Sequence, residues 1–178
     1  MSRNIRYHYY VEGPCEKKLI DELKKVQAVI SGQVNVFNAT QEEFTAQRLR
    51  VLSTNTIAVI VLDTDVGNYE ILSKNLRILK SNRNIKDVWL VFQVENLEKE
   101  LLRATDVKEI KDLIGAKTNS EFKTNFINEK NLLSKLIHHS FNYSLIWATA
   151  PNGIYKSFKN DGYRIKRLDS LTLTKAKK

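Results

Sequence analysis

The chain has 178 residues, 42% hydrophobic and 28% charged, which supplies one apolar core and fits a single domain with a short appendage. No apolar run nears the ~18 residues that cross a bilayer, so no membrane contact is expected, and the first residues show no leader pattern. The single cysteine, Cys15, rules out an internal disulfide framework or a cysteine-built zinc site, so a reducing cytoplasm is the expected compartment, and a net charge of +9 asks for an anionic partner.

Ile5–Glu12 is rich in β-branched and aromatic residues and predicts a first strand. Gly13-Pro14 ends it. Pro14 suits the first turn of a helix, and Leu19, Ile20, Leu23 and Val26 continue at helical spacing over Glu16–Val26. Val34–Asn38 predicts a short second strand. Thr40 with Glu43 has the spacing of a capping box for a helix carrying Phe44, Arg48, Val51 and Leu52. The unbroken apolar run Thr56–Leu62 suits a central parallel strand covered on both faces. It ends in Asp63-Thr64-Asp65, and helical spacing resumes over Tyr69–Lys80.

Asp87–Val94 predicts a fourth strand, closed by Glu95. Helices follow at Asn96–Ala104, at Asp106–Ile114 (stopped by Gly115) and at Glu121–His138, and Ser144–Thr149 has the composition of a fifth strand. The alternation predicts an α/β fold: a Rossmann-like, mostly parallel sheet of four or five strands with helices on both faces. Residues 1–105 would form the core and 106–178 a helical and basic extension packed on the same domain.

Strand-end acids mark the chemistry. In open parallel sheets ligands bind outside the carboxyl ends of the strands. Here Glu12 closes the first strand, Asp63 and Asp65 the third, and Glu95 the fourth, with Glu98 a rival for that last position. Neighbouring strands lie ~4.8 Å apart, so these carboxylates converge if their strands are adjacent. Clustered anions need a proton, a base or a cation, and oxygen ligands without histidine or thiolate select Mg²⁺, Mn²⁺ or Ca²⁺. Against this, each acid also has a plainer reading as a solvated strand end or a helix-start residue favoured by the macrodipole, Glu16 included.

VEGPCEKKLI (Val11–Ile20) followed by VIVLDTD (Val59–Asp65) resembles the paired motif of the Toprim domain, over roughly Ile5 to Leu102. The resemblance implies a Toprim-like fold, a general acid/base or metal-ligand role for Glu12, and Mg²⁺ at Asp63 and Asp65. Many Toprim proteins have a glycine soon after the Asp-x-Asp. Gly67 stands there, in a local context that does not match closely. Glu16, four residues after Glu12, is similar to the second acid of small Toprim nucleases of the overcoming-lysogenization-defect and RloB-like types, where it supports a second metal. Glu95 falls where RloB-like chains carry an Asn-Pro-x-Phe-Glu segment, without the proline and phenylalanine. The expected activity is a Mg²⁺- or Mn²⁺-dependent nuclease acting on DNA or RNA, with a place in bacterial anti-phage defence and a protein partner from the same system implied by the resemblance alone.

The cations concentrate at the C-terminus. From Tyr155 to Lys178, eight basic residues face only Asp161 and Asp169, a net of +6 out of +9. Lys156, Lys159, Arg164, Lys166 and Arg167, interleaved with Tyr155, Phe158 and Tyr163, are expected to track a nucleic-acid backbone, with Lys17 near the site. Lys156 is the expected neutraliser of transition-state charge, with Lys159 its rival. Two other functions fit the same pattern: a non-catalytic Toprim-fold binding or assembly subunit, and a haloacid-dehalogenase-like phosphatase using the Asp63-Thr64-Asp65 loop.

Overall fold

A computed structural model describes residues 4–65 and 68–167. In chain order it contains β1 (Arg6–Val11), α1 (Pro14–Lys25), β2 (Gln33–Val36), α2 (Ala46–Arg50), β3 (Thr56–Asp63), α3 (Tyr69–Ser81), β4 (Ile85–Gln93), α4 (Leu97–Ala104), α5 (Asn119–Asn128), α6 (Leu132–His138) and α7 (Gly162–Ile165). The four strands form one all-parallel sheet in the order β2-β1-β3-β4. Helices flank it on both sides, which makes the chain an α/β protein of Rossmann-like architecture.

Side chains alternate between faces along a strand, and the core divides accordingly. Val59 and Val61 of β3 share one cluster with Tyr9, Val11, Trp89 and Val91, covered by side chains of α1, α4, α5 and α6. Ala58, Ile60 and Leu62 share the other with Tyr10, Leu90 and Phe92, covered by α3, by Phe37, Phe44 and Leu52, and by Tyr155. Both faces of β3 are thus dry, and that is why Thr56–Leu62 reads as a continuous apolar run. The first cluster includes Leu113, Phe122, Leu136 and Trp147, so residues beyond 105 build the same core as the sheet.

The chain leaves β1 for β2 in one direction, then returns past β1 to β3 and continues to β4 in the other. The reversal lies between β1 and β3. At such a switch point the connecting loops diverge and leave a crevice at the strands' carboxyl ends. Glu12 and Asp63 stand at those two ends.

Several expected elements differ. Ser144–Thr149 is not a strand: the segment turns, Trp147 takes a left-handed φ of 54°, and its backbone N–H donates 2.8 Å to the buried Glu100 carboxylate. Asn160 and Asp161 occupy the outer edge of β4 instead. Their side chains accept the Phe92 and Leu90 backbone N–H groups at 3.2 and 3.1 Å, and the Asp161 N–H returns to Leu90 O at 2.6 Å. Gly162 follows because a Cβ there would collide with the Trp147 carbonyl and Cβ.

The expected helix at Glu121–His138 is two helices, α5 and α6, separated at residues 129–131. Asp106–Ile114 forms only a 3₁₀ turn, Ile110–Leu113, followed by Gly115 at a φ of 71°. Thr45, not Thr40, caps α2, which ends before Val51. Gly67, expected beside the Asp-x-Asp, and the basic residues of 168–178 lie outside the described residues.

Candidate functional site

Glu12 is set by its neighbours on both sides. One carboxylate oxygen accepts the Asp63 backbone N–H at 3.0 Å, and the other lies 3.5 Å from the Thr40 hydroxyl. The Asn38 side chain also donates to it. The loop that supplies Asn38 and Thr40 is pinned by Asn75 of α3, wholly buried, which accepts the Phe44 N–H and donates to the carbonyls of Ala39 and Glu42. Thr40 therefore belongs to the site rather than to a helix cap.

Asp63 ends β3 on the same face as Val59 and Val61. Its Oδ1 is buried and has no hydrogen-bond partner among the described residues. Burial, then the charges of Glu12 and Glu16, push its carboxyl far above the usual carboxylate range. Glu12 is raised as well, chiefly by burial, against the hydrogen bonds it receives. Asp65 is exposed, and its Oδ2 accepts from the Asn96 side chain at 2.9 Å. The backbones of Thr64 and Asp65 donate to the Glu95 carbonyl at 2.9 and 3.1 Å, and the Thr64 hydroxyl accepts the Glu95 N–H at 2.8 Å. These bonds lock the loop after β3 to the loop after β4.

The three acids open on a cavity of about 600 Å³. Glu12, Asp63 and Asp65 form one wall. Asn96, Glu98, Lys99, Lys108 and Lys123 line it elsewhere. Lys123 lies 3.3 Å from Glu98, whose charge raises the lysine's pKa and holds it protonated. Anions and cations thus face the same space.

Other expected site residues stand apart from that cavity. Glu16 is 8% exposed and does not line it. Its carboxylate lies over the start of α1, where the backbone N–H groups of Gly13 and Glu16 partly offset the rise that burial gives its pKa. Gly13 permits this, since a Cβ there would come within 3.0 Å of Glu16 Oε2. Glu95 points its carboxylate to Lys99 and Arg103, both at 3.8 Å, while Glu98, its rival in the sequence, lines the cavity.

Lys156 follows the 3₁₀ turn Gly153–Tyr155 and is exposed outside the cavity. Lys159 donates to the Tyr163 hydroxyl at 2.9 Å and lies over its ring. Arg164 stacks 4.1 Å from the Trp89 ring and pairs with Asp87, near the opposite, amino-terminal edge of the sheet. Lys166 donates to the Ser144 carbonyl at 3.1 Å, and burial brings its pKa down to about 8. Arg167 is exposed, with its backbone N–H on Ala28 O. Lys17 pairs with Asp21 at 3.0 Å. The lysines brought to the acids are 99, 108 and 123, which charge counting along the chain did not distinguish from solvated helix faces. Cys15 is buried, and burial followed by the charges of Glu16 and Glu98 pushes its thiol up to about 12, which disarms it as a nucleophile.

Among the described residues, no three acid, histidine or cysteine side chains already stand in a metal-gripping arrangement. The donor set nevertheless suits a hard divalent ion, because it consists of carboxylates, is short of charge compensation, and includes the orphaned Asp63 Oδ1. No protein-family model, curated protein or solved structure matches the chain.

Proposed function

We propose that this chain is a nuclease that hydrolyses phosphodiester bonds of DNA or RNA with Mg²⁺ or Mn²⁺ at a centre formed by Glu12, Asp63 and Asp65. The observation behind this is the buried Asp63 Oδ1, unpartnered among the described residues, beside the Glu12 carboxylate at the mouth of a lysine-bearing cavity. Two neighbouring carboxylates without a base between them are costly unless a proton or a cation joins them. The resemblance of Val11–Ile20 and Val59–Asp65 to the Toprim motifs points the same way.

When bound, a divalent ion supplies Lewis acidity and lowers the pKa of water. Asp63 and Asp65 would hold the ion. Glu12, fixed by the Asp63 N–H, has the raised proton affinity that suits it to take the proton of an attacking water. Lys108 and Lys123, on the cavity wall, attract and neutralise the phosphate. In this reading the cavity lysines, rather than the Lys156 expected from the sequence, supply the transition-state cation, because Lys156 does not line the cavity.

The test is incubation with plasmid, single-stranded DNA and structured RNA in Mg²⁺ or Mn²⁺, then with chelator. Cleavage that stops with chelator and falls at least ~100-fold in a folded Asp63→Ala variant is expected. Binding without cleavage under any condition would favour the non-catalytic subunit, and hydrolysis of a small phosphomonoester alone would favour the phosphatase.

A further inference from the structure

Four of the seven buried polar side-chain atoms that lack a partner among the described residues belong to three side chains at the carboxyl edge of the sheet: Asp63 Oδ1, both amide atoms of Gln93, and the Tyr155 hydroxyl, which feels the Glu12 charge. Gln93 is the most demanding of them. It is 0% exposed, yet neither its carboxamide nitrogen nor its oxygen is hydrogen-bonded. A buried amide without partners is expensive, and a Met or Leu at that position would avoid the cost. Pure core packing therefore does not account for a glutamine here.

Its place in the sheet does. Gln93 is the register partner of Asp63 in the parallel ladder. Both continue the face carried by Val59, Val61, Trp89 and Val91, so the two side chains leave the sheet on the same side from adjacent strands. Adjacent strands are ~4.8 Å apart, within reach of a glutamine amide. Gln93 is sealed from the cavity that Asp63 lines, so it would act through Asp63 rather than touch a ligand itself.

We propose that Gln93 is the positioning residue of the metal centre. Its carboxamide donates an N–H to the Asp63 carboxylate when a divalent ion is bound, fixing that carboxylate's orientation toward the cavity. This rests on the assignment of Asp63 as a metal ligand. A hydrogen-bonded partner behind a ligating carboxylate typically changes metal affinity by roughly 10- to 100-fold.

Two measurements test it, neither relying on turnover. In the wild-type protein, the side-chain amide resonances of Gln93 shift and exchange more slowly with water when Mg²⁺ is added. In Gln93→Met, calorimetric affinity for Mn²⁺ drops at least ~10-fold, while the metal-free protein melts at a higher temperature because an unsatisfied amide is gone. Unchanged Mn²⁺ affinity in that variant, beside a wild type that binds, would overturn the role of Gln93 and leave the metal centre standing. If the variant does not fold, the wild-type amide resonances decide: no movement on Mg²⁺ addition overturns the proposal. A wild type that binds neither ion removes the metal centre and Gln93's role together.

Discussion

At the scale of single residues, the site trades stability for a charge arrangement it does not need for folding. Burial and mutual repulsion raise Glu12, Glu16 and Asp63 above their ordinary values. Each therefore binds its proton more tightly in the folded chain than in the unfolded one. Folding takes up protons above the usual carboxylate pKa of about 4, so this contribution to stability is present at low pH and is lost as pH rises through the raised folded values. In chelator, the metal-free protein is expected to lose stability between pH 5 and pH 8 from this cause. Asp63→Asn is expected to flatten that slope and to add about 0.5–2 kcal/mol at pH 8, as read by urea unfolding at both values. An unchanged slope would mean that Asp63 is not the strained carboxylate. The positions of Glu12, Asp63 and Asp65 were legible because strand-end acids after apolar runs survive in a one-dimensional pattern. Gln93 was not legible, since a polar residue near a strand end looks like the start of a loop until its register with Asp63 is known.

At the scale of elements, the alternation of strand and helix was readable through α4, because covered parallel strands and amphipathic helices leave distinct periods. It failed at Ser144–Thr149. Leu145, Ile146 and Trp147 are as apolar as a strand, yet there the chain turns, and the Trp147 N–H goes to Glu100 instead of a ladder. A short apolar run cannot say whether burial comes from pairing or from turning inward. The edge strand β4 needed another cover, which Asn160 and Asp161 provide by accepting backbone N–H groups of Phe92 and Leu90. Asn160→Ala is expected to destabilise the fold by about 1–3 kcal/mol, since a part-buried N–H loses its acceptor, and to promote association through the bared edge. Urea unfolding and gel filtration would detect both effects. A variant as stable and as monodisperse as the parent would show that the side chains do not guard the edge.

At the scale of the whole molecule, topology and charge meet at one place. The order in which strands are added reverses between β1 and β3, and that crevice holds the acids that chain order separates by about fifty residues. The net charge of +9 pointed to an anionic partner without showing which cations face it. Arg164 and Lys166 are engaged in packing and hydrogen bonds, whereas Lys99, Lys108 and Lys123 surround the cavity. Counting charge along a sequence cannot separate those groups, because only the fold says which side of the sheet each helix covers. The most direct measurement of this arrangement is an anomalous-diffraction map from crystals soaked in Mn²⁺ with a phosphate analogue. A peak bound to Asp63 and Asp65, with Glu12 facing it from the end of β1, is predicted; a fully soaked crystal with no peak there, or with Glu12 turned away from Asp63, would contradict it.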